Sequence, residues 1–126
     1  MQKTILIIAF LFSFAFGDIE WIYDYDDAVE IAQKDKKMIM VMLSSEGCPA
    51  CKYMKENVLK NDNVSKIVKK SYVAVYLDIY KSFLPDELTY FATPTFYFLD
   101  SDEKVLHKTV GGINAQSFLD EIELIE

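Results

Sequence analysis

Residues that carry metal or redox chemistry are scarce in this chain. Its 126 residues include one histidine, two cysteines and one tryptophan. A zinc site takes three or four ligands. Two thiols with His107 alone do not argue for one, and His107 reads as a solvated residue of an edge strand. Covalent haem attachment needs histidine directly after the second cysteine, and Lys52 stands there. Positive charge is also in deficit. Thirteen Lys and Arg face twenty Asp and Glu, a formal charge of −7, which argues against nucleic acid and anionic membranes as partners. No repeat or low-complexity linker is visible, and no second domain.

Aromatic residues, by contrast, are plentiful, with eight Tyr and nine Phe. They suit a sheet-containing core or an exposed aromatic binding surface; composition does not separate the two.

One long apolar run stands at the start. "MQKTILIIAFLFSFAFG" has Lys3, an unbroken stretch from Ile5 to Leu11 that continues past one Ser to Phe16, and small residues at Ala15 and Gly17. That is the pattern of a secretory signal peptide, expected to be cut after Gly17. The run is shorter than the roughly 20 residues of a membrane span, so an uncleaved anchor is the lesser reading. Residues 18–126 are then one domain, large enough for its own core.

"DYDDAVEIAQKDKK" predicts a helix capped by Asp24 or Asp26, with Ala28, Val29, Ile31 and Ala32 as its apolar stripe. "MIMVMLS", Met38 to Ser44, predicts a buried central strand. Pro49 suits the first position of a helix, running through Met54 and Val58 and stopping near "KNDN". Asp62 or Asn63 is expected to cap a short helix carrying Val64, Ile67 and Val68. "YVAVYLDI" and "TPTFYFLD" predict two more strands, the latter opened by Pro94. "KVLHKTV" predicts a hairpin partner to the last of these. Gly111 and Gly112 break it, and Asn114 caps a final helix burying Phe118, Leu119, Ile122 and Ile125. Strands interleaved with helices indicate an α/β fold: a central mixed β-sheet flanked by helices.

Both cysteines lie in "SSEGCPACKYM". A disulfide across two residues closes a tiny loop and stabilises least, which leaves chemistry as the stronger reading. Cys48 lies just before a predicted helix, where free N–H groups and the positive dipole end stabilise a thiolate. Cys51, on the same helical face, is within reach of it. A strand–turn–helix context is what a redox C-x-x-C asks for.

These residues resemble the thioredoxin-like superfamily, specifically its exported bacterial members. "CPAC" after the central strand, "VYLDI", "ATPTFYFLD", "TVGG" and the opening "WIYDYDDAVEIAQKDKKMIMVML" carry the resemblance over residues 20–126. It implies a thioredoxin-like fold and a Cys48–Cys51 redox disulfide. Cys48 is then the nucleophile that attacks a substrate disulfide, and Cys51 resolves the mixed disulfide. It further implies a cis bond at Pro94 beside the thiols, with the Thr93 backbone free to pair with an extended substrate. The chain departs from the family pattern in three places. Gly47 stands where Trp is common, Met42 where a buried Asp is common, and Ala74 where its Lys partner is common. Glu46 is the nearest carboxylate in sequence, either a solvated loop charge or a substitute proton acceptor for Cys51. Asn63-Val64-Ser65 matches a glycosylation sequon, a weak three-residue signal.

The expectation is an exported thiol–disulfide oxidoreductase, periplasmic or secreted. It would reduce protein disulfides, draw electrons from an upstream thiol donor, act as a monomer, and need no cofactor and no metal. Pro49 and Ala50 are uncharged and Glu46 disfavours a thiolate, which points to a reductant rather than a strong oxidant. One alternative is a non-catalytic binding module or chaperone using the aromatic surface around Tyr53, Tyr90 and Phe91. Another is a dedicated reductant carrier for cytochrome maturation or sulfur oxidation.

Overall fold

Met38–Ser44 forms β2, the middle strand of a five-stranded mixed sheet ordered β1-β3-β2-β4-β5. The computed structural model describes residues 18–125, so the expected signal peptide lies outside the described residues. On one side β2 pairs parallel with β3, Tyr72–Asp78, which in turn pairs parallel with β1, Trp21–Ile22. On the other it pairs antiparallel with β4, Thr95–Leu99, which forms a hairpin with β5, Val105–Val110. Adjacent parallel strands need a crossover, and helices supply it between β2 and β3.

Side-chain alternation divides the sheet into two packed faces. Met40, Met42, Ala74, Phe96 and Phe98 point to one side, where they meet Met54, Val64, Val68, Phe118 and Ile122. Ile39, Val41, Leu43, Val75, Tyr97 and Leu99 point to the other, against Tyr25, Ala28 and Ala32. Because both faces are covered, β2 and β4 read as continuous apolar runs rather than alternating ones. Phe118 packs edge-on to Phe96, with ring centroids 5.2 Å apart. Such a pair adds about 0.5–1.5 kcal/mol beyond its area burial.

The helix termini follow local chemistry. α1, Tyr25–Asp35, is capped by Asp24, whose carboxylate accepts the Asp27 N–H at 2.9 Å. It ends at Lys36 in the left-handed conformation, with φ 55°. α2, Pro49–Tyr53, continues into a π-helical turn, Met54–Val58, instead of remaining α-helical to Val58 as expected. The wider turn is closed by Leu59 N–H donating to the Met54 carbonyl. α3, Asp62–Ser71, is capped by Asn61, not by Asp62 or Asn63. The Asn61 carboxamide oxygen accepts from both Asn63 and Val64. α4, Ala115–Glu123, is capped by Asn114 as the sequence indicated.

Two further differences have simple causes. β1 was not expected, because two residues carry no periodicity. β4 begins at Thr95, after Pro94, since proline has no N–H to give a ladder. His107 is not merely a solvated edge residue. Although it lies on edge strand β5, its ring bonds the Glu121 carboxylate of α4 and sits near Phe98.

Tyr25 fastens α1 to the β4–β5 turn. Its ring is 5% exposed, and its hydroxyl donates to Glu103 at 2.8 Å. Burial, and then the hydrogen bond and charge of Glu103, push its pKa well above the ordinary tyrosine value. The folded-state pKa therefore exceeds the unfolded one. The stabilisation is complete below about pH 10 and declines as pH rises beyond it, because only the unfolded chain then releases the proton. Tyr25→Phe should cost about 1 kcal/mol at neutral pH. It should also lose less stability than the parent between neutral pH and about pH 11, as measured by urea unfolding at both.

Candidate active site

The chain leaves β2 at Ser44, turns at Gly47 and enters α2 at Pro49. Gly47 has φ +70° and nothing lies within 4 Å of where a Cβ would stand. The constraint there is therefore backbone conformation, not space. Cys48 is the residue that caps α2. It has extended backbone, and its sulfur accepts the Cys51 N–H at 3.2 Å. Cys48 and Cys51 are joined in a disulfide with their Cα atoms 5.3 Å apart. The two are unequal. Cys48 is partly exposed, whereas Cys51 is 3% exposed and belongs to the core beside Met42 and Met54.

The segment before β4 closes one side of the site. The Thr93–Pro94 peptide is cis. The Thr93 carbonyl oxygen lies 3.6 Å from Cys48 Sγ, and its hydroxyl lies 3.5 Å from the same sulfur. Ser45 Oγ holds that hydroxyl at 3.0 Å. Among the described residues, the Thr93 main chain makes no backbone hydrogen bond. Behind α2, Gly112 brings the β5–α4 turn close, so that a Cβ there would stand 3.5 Å from Ala50 Cβ.

An open cleft of about 460 Å³ flanks the disulfide, lined by Ser45–Pro49, Cys51, Lys52, Lys55, Glu56 and Tyr76. Met42 and Ala74, the two apolar replacements noted in the sequence, are both buried. One step further along the same sheet face, the fully buried Ser44 bonds its hydroxyl to that of Tyr76 at 2.8 Å. Lys55 Nζ sits 4.2 Å from the centroid of the Tyr76 ring, with Trp21 and Tyr23 at 5.8 and 5.9 Å. A cation so placed gains about 0.5–2 kcal/mol from the rings. Sequence reasoning missed Lys55; its spacing four residues after Cys51 was the available signal. Glu46 lines the cleft mouth, but its carboxylate is exposed and paired with Lys81. That pairing raises the Lys81 pKa and makes Glu46 a surface ion-pair member.

Among the described residues no cluster could hold a metal ion, and no helix is long and apolar enough to cross a membrane.

A parallel βαβ crossover, an antiparallel hairpin and helices on both faces together make the thioredoxin fold, and relatives agree. A thioredoxin of Thermus thermophilus superposes with a TM-score of 0.72 at 28% identity, covering 86% of this chain and 88% of that one. A putative disulphide-isomerase from Bacteroides thetaiotaomicron gives a TM-score of 0.73 at 23% identity over 85% and 90%, a likeness of fold alone. An uncharacterized protein of Archaeoglobus fulgidus is 27% identical over 85 residues, or 68% of this chain. Anterior gradient protein 3 of Mus musculus is 27% identical over 60 residues, or 48% of this chain. The matches span 66% and 36% of those two curated relatives. The chain belongs to the family of thioredoxin-like domains, whose model matches residues 25–126. A close cysteine pair at a helix start on this fold supports thiol–disulfide oxidoreductase chemistry.

The unequal burial makes a direct prediction. In the reduced protein, iodoacetamide should alkylate Cys48 about tenfold faster than Cys51, or more, because Cys48 is accessible at the helix start and Cys51 is not. Peptide mapping after short labelling times reads the ratio, and equal rates would contradict the asymmetry.

Proposed function

We propose that this protein is an exported protein-disulfide reductase working through the Cys48/Cys51 dithiol. The observation that carries the reading is the site's polarity: an accessible sulfur at a helix start, a buried partner one turn behind it, and beside it a Thr93 main chain that bonds to no other backbone group among the described residues. In the reduced protein, the Cys48 thiolate attacks one sulfur of a substrate disulfide. That S–S bond breaks, the first substrate thiolate leaves, and Cys48 holds the other half as a mixed disulfide. Cys51 then gives up its proton to solvent and attacks the Cys48 sulfur. The intramolecular disulfide forms and the second substrate thiolate departs. Two electrons have passed to the substrate, and an upstream thiol donor must return two. None of these steps requires a bound cofactor.

Thr93 and Pro94 would receive an extended substrate segment as an added strand. The reducing direction is supported by the residues around Cys48. Pro49 withholds one N–H from the helix start, and Ala50 is uncharged. Export rests on the N-terminal sequence pattern, with cleavage after Gly17 leading to a periplasmic or secreted monomer.

The exposed aromatics favour a second reading, a binding module or chaperone. Tyr53 and Tyr90 are about two-fifths exposed, and Phe91 is 85% exposed. Phe91 stands two residues before Thr93 in sequence. The two readings separate on thiol dependence. With dithiothreitol as donor, the protein should accelerate insulin reduction. Cys51→Ser should accumulate substrate-linked mixed disulfides on non-reducing gels, and Cys48→Ser should trap none. Client binding that persists unchanged in Cys48→Ser, without any insulin reduction by the parent, would favour the binding module.

A further inference from the structure

Cys51 poses a problem for the dithiol mechanism. It must become a thiolate to resolve the mixed disulfide, yet it is 3% exposed with Met42 and Met54 in its surroundings. Burial in apolar surroundings disfavours a thiolate. The cleft beside it supplies a charge of the required sign. Lys55 follows Cys51 by four residues, across the junction of α2 and the π turn, and both line the cleft.

Lys55 is held there, rather than extended into solvent. Its Nζ lies 4.2 Å from the Tyr76 ring centroid and within 6 Å of those of Trp21 and Tyr23. Tyr76 is fixed in turn by its hydroxyl bond to the buried Ser44 and by edge-on packing of Trp21 at 5.8 Å. The short strand β1 thus brings in one wall of the aromatic box. The other charged groups of the cleft are differently disposed. Glu46 is engaged by Lys81 at the mouth, Lys52 is exposed, and Glu56 is exposed on the same helical segment as Lys55.

The geometry points to Lys55 as a positioning residue for the resolving step: an ammonium held by Trp21, Tyr23 and Tyr76 stabilises the Cys51 thiolate. The assignment rests on the dithiol reading above and goes beyond it. It makes no claim on Cys48, which lies at the helix start and meets substrate first. Nor does it conflict with a reducing protein. Its effect is on the rate of resolution, through the thiolate fraction of the attacking sulfur.

The test uses the reduced full domain with dithiobis(nitrobenzoate), which reports each thiol exchange by absorbance. Cys48 attacks the reagent and expels the first nitrothiobenzoate; Cys51 then attacks Cys48 and expels the second. Two equivalents in two phases from the parent protein establish the dithiol reaction itself. A single equivalent would sink the dithiol reading and leave Lys55 without a role. Given two phases, Lys55→Met should slow the second about two- to fourfold at neutral pH, because the lost thiolate fraction outweighs the greater nucleophilicity of the less acidic thiol. The first phase should be unchanged. The gap should narrow steadily as pH rises, because hydroxide then supplies the thiolate that the ammonium favours at neutral pH. Lys55→Arg should keep most of the parent rate. Lys52→Met, which removes an exposed charge next to Cys51, should leave it intact. Tyr76→Leu should slow the second phase in the same pH-dependent way, and Lys55→Met should add little to it. An unchanged second phase in Lys55→Met would overturn the assignment. So would a slowing equal at all pH values, which would mean that the thiol had merely been displaced, or an equal effect from Lys52→Met.

Discussion

Burial of β2 on both faces is the constraint from which the rest of the structure follows. Residues 39–44 are all buried, so the strand has no freedom to slip. A shift of one residue would exchange Met40 and Met42 for Ile39 and Val41 across the sheet. Fixing β2 fixes the point where Ser44 ends it, and five residues later, at Pro49, the chain begins α2. The cysteine pair is therefore carried at the start of a helix that follows a strand buried on both faces. The same register places β4 antiparallel alongside β2, which brings Thr93 to Cys48 from a distance of 45 residues in sequence.

Around the disulfide, apolar and charged surroundings are segregated. Inward, Cys51 belongs to the core cluster that includes Met42 and Met54; outward, the cleft carries Glu46, Lys52, Lys55 and Glu56. Met42 and Ala74 are both buried at their places in the sheet. The Ser44–Tyr76 hydroxyl pair satisfies the buried polar atom at the end of β2. An unpaired hydroxyl there would cost about 1–3 kcal/mol. One hydrogen bond thus both completes the strand and holds the ring on which Lys55 rests.

What could be read from the sequence depended on how local the cause was. β2, β3 and β4 appear as apolar runs because two-sided burial leaves a continuous signal. Asp24 and Asn114 appear as caps because a cap is set within four residues. The junction carrying Cys48 was legible for the same reason: an apolar strand, a glycine and a proline at helix start occur in one short stretch. Non-local causes left no such trace. β1 exists only because β3 offers it an edge. Asn61 caps α3 in place of Asp62 or Asn63, after a π turn that the residue pattern did not show. The His107–Glu121 bond needs the hairpin and α4 to be in place before the two residues meet. The aromatic box around Lys55 is assembled from residues 21, 23, 55 and 76, and no spacing rule connects them.

The central claim is that Cys48 and Cys51 exchange as a two-electron dithiol/disulfide couple poised for reduction. Equilibrating the purified domain in glutathione buffers of graded ratio, followed by quenching and counting free thiols, measures that couple directly. A single transition with both thiols appearing together is expected, at a potential below about −180 mV and so nearer to thioredoxin than to a strong oxidant. A transition near −120 mV would make the protein a disulfide donor. Glutathione adducts without an internal disulfide would contradict the account altogether.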